Sequence, residues 1–303
     1  MCSSDLNLEP MQDAPGYQFV RGDITDEQLV NQLAADTDAI VNFAAESHVD
    51  RSIESADAFI QTDVRGTYVL LQAALDYGCR YLQVSTDEVY GDLATGSARE
   101  EDSVRPRSPY AASKAAGDLL VGAYHVTYGL HACVTRASNT FGPYQYPEKI
   151  IPLFVTNAID GEPLPLYGDG LQVRDWLHVD DHCAAIELVL ERGEPGLAYN
   201  VGGGNEMTNM DLTKLILEEL ELPMSLVRRV PDRPGHDRRY SVDSSRIRAL
   251  GWAPRASFRE QLTQTVLWYV EHETWWRPLK SDDYLDYYRR QYADRLAAGT
   301  ALE

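Results

Sequence analysis

Two rhythms of apolar and polar positions divide the chain. In its first part, short apolar runs bounded by polar or glycine-containing turns alternate with longer amphipathic stretches. Tyr17-Gln18-Phe19-Val20, Asp38 to Phe43, Tyr81-Leu82-Gln83-Val84 and His131 to Arg136 have the length and the β-branched or aromatic content of buried strands. Thr25 or Asp26 can cap a helix running through Leu33, and longer helical patterns span Glu54 to Tyr77 and Tyr110 to Tyr128. Strands alternating with helices of this length predict parallel βαβ units, and hence an α/β fold with a doubly wound parallel sheet. The first sixteen residues carry Pro10, Pro15 and Gly16 without a period and read as loop.

Beyond Asn139 the rhythm changes. Gly142-Pro143, Gly161-Glu162-Pro163 and Gly168-Asp169-Gly170 break the chain into shorter elements, with helices expected near Val179–Glu191, Asn209–Glu219 and Phe258–His272. The shift predicts a nucleotide-binding domain at residues 1–138 and a smaller substrate-binding domain at 139–303, with strand Val173–His178 a candidate to return to the first sheet. The tyrosine-rich tail from Ser281 to Arg295 reads as a packed surface helix rather than a binding element.

Charge narrows the partners. Asp and Glu number 47 against 27 Lys and Arg, a formal charge of −20 whose field repels nucleic acid and anionic membranes. An anionic ligand then has to be held by a local cluster of cations, and since only Lys114, Lys149, Lys214 and Lys280 are lysines, that cluster is mostly arginine. Cys2, Cys79, Cys133 and Cys183 are widely spaced, which fits a reduced cytoplasmic protein without a structural metal. No stretch reaches the roughly 18 apolar residues of a membrane span, and Met1 to Ala14 is too polar for a signal peptide.

Candidate chemistry centres on Ser85-Thr86-Asp87-Glu88-Val89-Tyr90-Gly91, directly after an apolar run. This is the carboxyl end of a predicted strand, where open α/β sheets place ligands. Adjacent acids on a strand end point to opposite sides and can serve two atoms of one substrate; the same seven residues also fit a solvated, capped loop. One loop later, Tyr110 and Lys114 stand at i and i+4 on a predicted first helical turn, where an ammonium beside a phenol lowers its pKa and makes it a usable base.

A strand-end hydroxyl with Tyr-x-x-x-Lys resembles the triad of the short-chain dehydrogenase/reductase family, in its extended branch. Ala44-Ala45-Glu46-Ser47-His48-Val49-Asp50-Arg51-Ser52, Ser85 to Gly91, Ser138-Asn139-Thr140-Phe141-Gly142-Pro143-Tyr144, Arg174-Asp175-Trp176 and Asp232-Arg233-Pro234-Gly235-His236-Asp237 are similar, in order, to the dTDP-glucose 4,6-dehydratases of that branch. The Asp87-Glu88 pair separates this resemblance from the epimerases. It implies that Tyr110 takes the sugar O4 proton while C4 is oxidised by NAD, with Lys114 and Thr86 in support. Glu88 then removes the C5 proton, Asp87 protonates the leaving C6 hydroxyl, and the hydride returns to C6. A UDP-sugar epimerase or decarboxylase of the branch, and an inactive fragment or binding module, are the alternatives.

The resemblance also implies contacts. For NAD these are Asp23, Ile24, Ala44, Ala45, Ser47, Thr62, Tyr110, Lys114 and Thr140. For a nucleoside-diphosphate sugar they are Ser47, Thr86, Asn139, Lys149, Ile150, Pro165, Leu166, Tyr167, Arg174, Asn209, Arg233 and His236, the arginines holding the diphosphate. It further implies a homodimer through helices 54–77 and 110–128. Two departures stand out. Asp63 and Thr140 occupy positions where the family usually has Asn. The strand, G-x-x-G-x-x-G turn and helix that open such folds are absent, which predicts an N-terminally truncated chain in which Met1 to Leu6 are unlike the family.

Overall fold

The structure is a computed structural model that describes residues 7–302; the expectations for Met1 to Leu6 and for Cys2 lie outside the described residues. Helix α1 (Glu27–Ala34) starts where expected, with the Asp26 carboxylate accepting from the Gln28 and Leu29 amides. Strand β1 (Ala39–Asn42) follows, then the short helix Val49–Glu54. The long helix expected from Glu54 to Tyr77 is interrupted. After a break at Ser55-Ala56, a turn of helix at Asp57–Phe59 opens into a wide π turn at Ile60–Gly66 and re-tightens as α2 (Thr67–Tyr77). Gly66 permits this close fit, because a Cβ there would lie 2.3 Å from Ile24 Cδ1.

Strand β2 (Arg80–Thr86), α3 (Pro109–Tyr128) and β3 (Ala132–Ala137) complete the first unit. Four parallel strands pair in the order β1-β2-β3-β7, where β7 is Ala198–Val201. Successive residues of β2 face opposite sides. Tyr81 joins Val30, Leu71 and Val121 in one core, while Leu82 joins Ile186, Val189 and Trp252 in the other. Helices on both faces of a parallel sheet make the doubly wound arrangement the periodicity predicts.

Two expectations fail here, each decided by pairing: backbone without a paired neighbour is not a strand, and a strand whose edges are taken cannot join another sheet. Tyr17–Val20 is not a strand, since nothing among the described residues pairs with it. Val173–His178 (β6) does not return to the first sheet. Its edges are taken by β4 (Asn139–Phe141), in parallel, and β8 (Glu206–Thr208), antiparallel, and it is β7 that crosses back beside β3.

Residues 139–303, the second unit, add α4 (Ile150–Ile159), β5 (Leu164–Tyr167), α5 (Val179–Arg192), α6 (Asn209–Glu219), β9 (Val227–Val230), α7 (Phe258–Glu271), α8 (Asp282–Ala297) and β10 (Thr300–Ala301), although α5, through Ile186 and Val189, packs on the first sheet and β7 pairs within it. A third sheet, ordered β10-β9-β5, packs with α4, α6 and α7 around Phe154, Leu164, Leu212, Val227 and Leu262. Each such fully buried side chain contributes about 1.5–3 kcal/mol. No helix among the described residues is long and apolar enough to cross a membrane.

Candidate active site

The pairing that holds β2 between β1 and β3 ends at Thr86, and a 3-10 turn, Asp87–Tyr90, follows at once. The acids therefore sit on a turn, not on the strand itself as alternation predicts. The Thr86 hydroxyl caps the turn by accepting from the Glu88 amide at 3.3 Å. Gly91 closes it at φ +76°, so near the Arg105 carbonyl that a Cβ would lie 2.3 Å away. The turn gives the two carboxyls unequal surroundings. Asp87 is buried, with Oδ2 lacking a hydrogen-bond partner, whereas Glu88 is half-buried and faces an open pocket.

That difference sets their chemistry. Burial raises the Asp87 carboxyl well above the usual carboxylate range, and the nearby charges of Glu88 and Asp175 raise it further. Burial thus favours the neutral acid at Asp87, against the opposing pull of Arg174 and Thr86. Tyr240 lies behind Glu88, its hydroxyl 3.4 Å from Glu88 Oε2 and 2.6 Å from Asp237 Oδ2. Its single proton goes to the closer Asp237, so Glu88 keeps its acceptor capacity for the pocket.

Tyr110 and Lys114 occupy the start of α3, which Ser108 caps through the Ala111 amide with Pro109 in the first turn. Here the structure corrects the expected electrostatics. The Tyr110 phenol is raised well above its ordinary value, by burial first, then by Glu88 and Asp63, against a hydrogen bond with Thr86. The Lys114 ammonium is turned to the Val84 carbonyl at 2.8 Å. Sequence spacing places the pair on one face; the burial that raises the phenol, and the acids that add to it, come from other elements.

A pocket opens beyond Glu88. Asn139, Lys149, Ile150, Pro165, Leu166, Tyr167, Arg174, Asn209, Arg233 and His236, all expected as substrate contacts, line it. Ser47 joins through its carbonyl, which accepts from the Lys149 ammonium, and Thr86 lies beside Asp87. Arg174 is buried, stacked 4.3 Å from the Tyr240 ring, and held by the Val173 and Asp237 carbonyls rather than by Asp175 or Asp180. Arg233 pairs with Asp50 at 3.1 Å, and burial lowers Lys149 despite Glu148 and Glu88 nearby. His236 is lowered to about 4, chiefly by burial and then by Arg233, and its Nδ1–H is held by Asp232 at 2.6 Å. Three cations thus converge on one cavity of an acidic protein. Asn139 Oδ1, Asn209 Oδ1 and Arg233 Nε are buried there without partners among the described residues, two acceptors and one donor, the signature of a site built for a polar ligand that carries hydroxyl or N–H groups as well as acceptor oxygens.

His48, Asp50, Glu148, Trp176 and Tyr292 also line the pocket and were not singled out from the sequence. His48, Asp50 and Trp176 lie inside the quoted segments, so a signal existed. Tyr292 had none. It belongs to α8, the tail expected to be only a surface helix, which reaches the site through Tyr292 and through Gln291, bonded to the Tyr167 hydroxyl at 2.8 Å.

The expected cofactor residues are less unified. Ala44, Ala45 and Thr62 are half-buried, Ala44 fixed by its amide to Asn42 Oδ1 at 3.0 Å. Asp23 and Ile24 border a second, mainly apolar cavity between α1 and β1, and Asp23 Oδ1 accepts from both the Thr25 amide and hydroxyl. Thr140 departs from expectation. It alternates with Asn139 on β4, and its hydroxyl is engaged by His182 Nδ1 at 2.9 Å.

Comparison with known proteins identifies the family. The profile of the GDP-mannose 4,6 dehydratase family matches residues 3–265. The chain belongs to that family. A dTDP-glucose 4,6-dehydratase of Streptomyces niveus is 54% identical over 280 residues, covering 92% of this chain and 83% of that protein. The crystal structure of the dTDP-glucose 4,6-dehydratase DesIV from Streptomyces venezuelae, with NAD bound, superimposes with a TM-score of 0.90 at 54% identity, covering 91% of this chain and 86% of that one. A dTDP-glucose 4,6-dehydratase from Bacillus anthracis in complex with NAD gives a TM-score of 0.84 at 47% identity, covering 90% of this chain and 86% of that one. These dehydratase-family structures share the doubly wound sheet and the smaller mixed sheets described above.

Proposed function

We propose that this family member dehydrates a nucleoside-diphosphate glucose, dTDP-glucose in the first instance, to the 4-keto-6-deoxy sugar. The single observation that carries the reading is the opposed pair at the end of β2. Asp87 is held protonated by burial and neighbouring acids, while Glu88 faces the cation-lined pocket. Loss of water across two adjacent carbons needs a base for one atom and an acid for the other, and this turn supplies both.

In this reading Arg174, Arg233 and Lys149 hold the diphosphate, and Asn139, Asn209 and His236 supply further polar contacts. Tyr110, in its phenolate form, accepts the O4 proton, with Thr86 hydrogen-bonded to its oxygen. Glu88 accepts the C5 proton, and Asp87 gives its proton to the departing C6 hydroxyl. NAD, when bound, supplies a two-electron acceptor for C4 and returns the electrons, as hydride, to C6. The residues fit that cofactor at its reactive end, where Tyr110, Lys114 and Ser47 stand on elements that adjoin the pocket. Asp23 and Ile24, beside a mainly apolar cavity, fit a flat base. Thr140 does not fit as a side-chain contact.

Incubation with dTDP-glucose and NAD, followed by mass spectrometry of the sugar nucleotide, tests the reading. A product lighter by one water supports it, and recovery of an epimerised sugar with C6 oxygen intact would sink it. The same reading includes a homodimer through α2 and α3, where Tyr68, Tyr77, Leu119, Val126 and Tyr128 leave apolar surface exposed. It also places the protein in the cytoplasm, consistent with the free thiols Cys79, Cys133 and Cys183.

A further inference from the structure

Asp63 lies in the π turn Ile60–Gly66 and is 1% exposed. A carboxylate so deeply buried is costly without partners. The turn packs hard against α3, since a Cβ on Gly117 would come within 3.2 Å of the Asp63 carbonyl. From α3, Ser113 Oγ lies 2.6 Å from Asp63 Oδ2 and 2.8 Å from the carbonyl oxygen of Tyr110. A hydroxyl has one proton to donate. If Asp63 is charged, Ser113 donates to it, and the Tyr110 carbonyl loses that bond. If Asp63 is protonated, its own O–H donates to Ser113 Oγ and Ser113 donates onward to Tyr110. Only then are both short contacts hydrogen bonds at once.

We propose that Asp63 is a positioning residue for Tyr110: protonated, it completes the chain from Asp63 through Ser113 to the Tyr110 backbone, and ionised, it breaks that chain and sets negative charge against the phenol. The inference rests on the reading of Tyr110 as the base at O4. The charged and titratable groups around Asp63 are Lys114 and Tyr110 on α3 and Glu46 in the loop after β1. Lys114 favours the charged carboxylate, but burial outweighs it and raises the group to about 6. Once ionised, Asp63 acts with Glu88 against the Tyr110 phenolate.

Asp63→Asn tests this, because an uncharged amide N–H reproduces the protonated acid as donor to Ser113. A carboxyl raised from 3.8 to about 6 contributes stability that is full below the unfolded value and is lost as pH rises through the folded one. The melting temperature of D63N relative to the unsubstituted protein therefore climbs by a few degrees between about pH 4 and pH 7 and then levels off. A difference that stays flat would overturn the proposal. In a Lys114→Met background, where no ammonium offsets the Asp63 charge, the gain from D63N at neutral pH is larger; equal gains in both backgrounds would also overturn it. Neither measurement needs cofactor or substrate. In turnover, the acid limb of kcat/KM, which reports Tyr110 ionisation, moves to lower pH in D63N, and an unmoved limb would overturn the positioning role. Should neither protein release water from dTDP-glucose, the functional reading fails, and the stability comparison still decides whether Asp63 holds its proton.

Discussion

Around the substrate pocket, contacts arrive from everywhere in the second unit: β4, α4, β5, β6, α6, the loop after β9, and α8 each place a side chain there. The region around β1 is different. One edge of β1 pairs with β2, no described strand takes the other, and Phe19, Leu33 and Phe43 are between 46% and 59% exposed nearby. The same apolar residue types that build a core in one region stay open to solvent in the other. Hydrophobicity specifies that a position is fit for burial; only the presence of a neighbouring element buries it. The proposed catalytic residues lie on the well-covered side, at the junction of β2 with the pocket.

Substitutions can break or sharpen that contrast. The largest effect is expected at the junction itself. Glu88→Gln lowers the rate of water loss by about 10²–10⁴-fold while sparing some oxidation at C4, checked by separating keto-sugar formation from dehydration. The elimination step also needs Asp87 protonated. Its folded-state pKa is raised, so the elimination step keeps its acid below that value and slows as pH rises through it, an alkaline limb separate from the acid limb set by Tyr110; Asp87→Asn abolishes this alkaline limb along with most of the rate.

Next in size is the core of the covered region. Leu212 is fully buried, and Leu212→Ala costs about 2–5 kcal/mol, read from the urea midpoint. At the proposed subunit contact, Val126 is 84% exposed in the single chain, and Val126→Glu converts a dimer to monomer by light scattering with little change in the fold. A protein that is monomeric before substitution would remove the dimer from the reading. The smallest effect is on the open side. Phe19→Ser changes stability by no more than about 0.5 kcal/mol, and a loss as large as that of Leu212→Ala would show that the two regions are covered alike.

What was legible in the sequence was local. Helix Asn209–Glu219 was read to the residue because its cap, Thr208 accepting from the Asp211 amide, lies within the same few residues as its period. The ten pocket residues were legible through the family resemblance, four of them inside its ordered motifs, rather than through geometry, and they do meet in one cavity. Tyr292 was not, because a tyrosine in a charged helix carries no mark of what that helix will face. The interrupted helix around Asp63 was not legible either, since the wide turn answers to packing against Ile24 and α3 rather than to its own composition.

The sequence by itself determined that strands and helices alternate, that two carboxyls follow the strand that becomes β2, and that Tyr110 and Lys114 share a helical face. These follow from periods and spacings, which are properties of neighbouring residues. The tertiary structure decided which strand returns to the first sheet, which acid is buried, and why Tyr110 is raised rather than lowered. Those outcomes depend on which edges are already occupied and which charges are brought close, and both are set by residues far away along the chain.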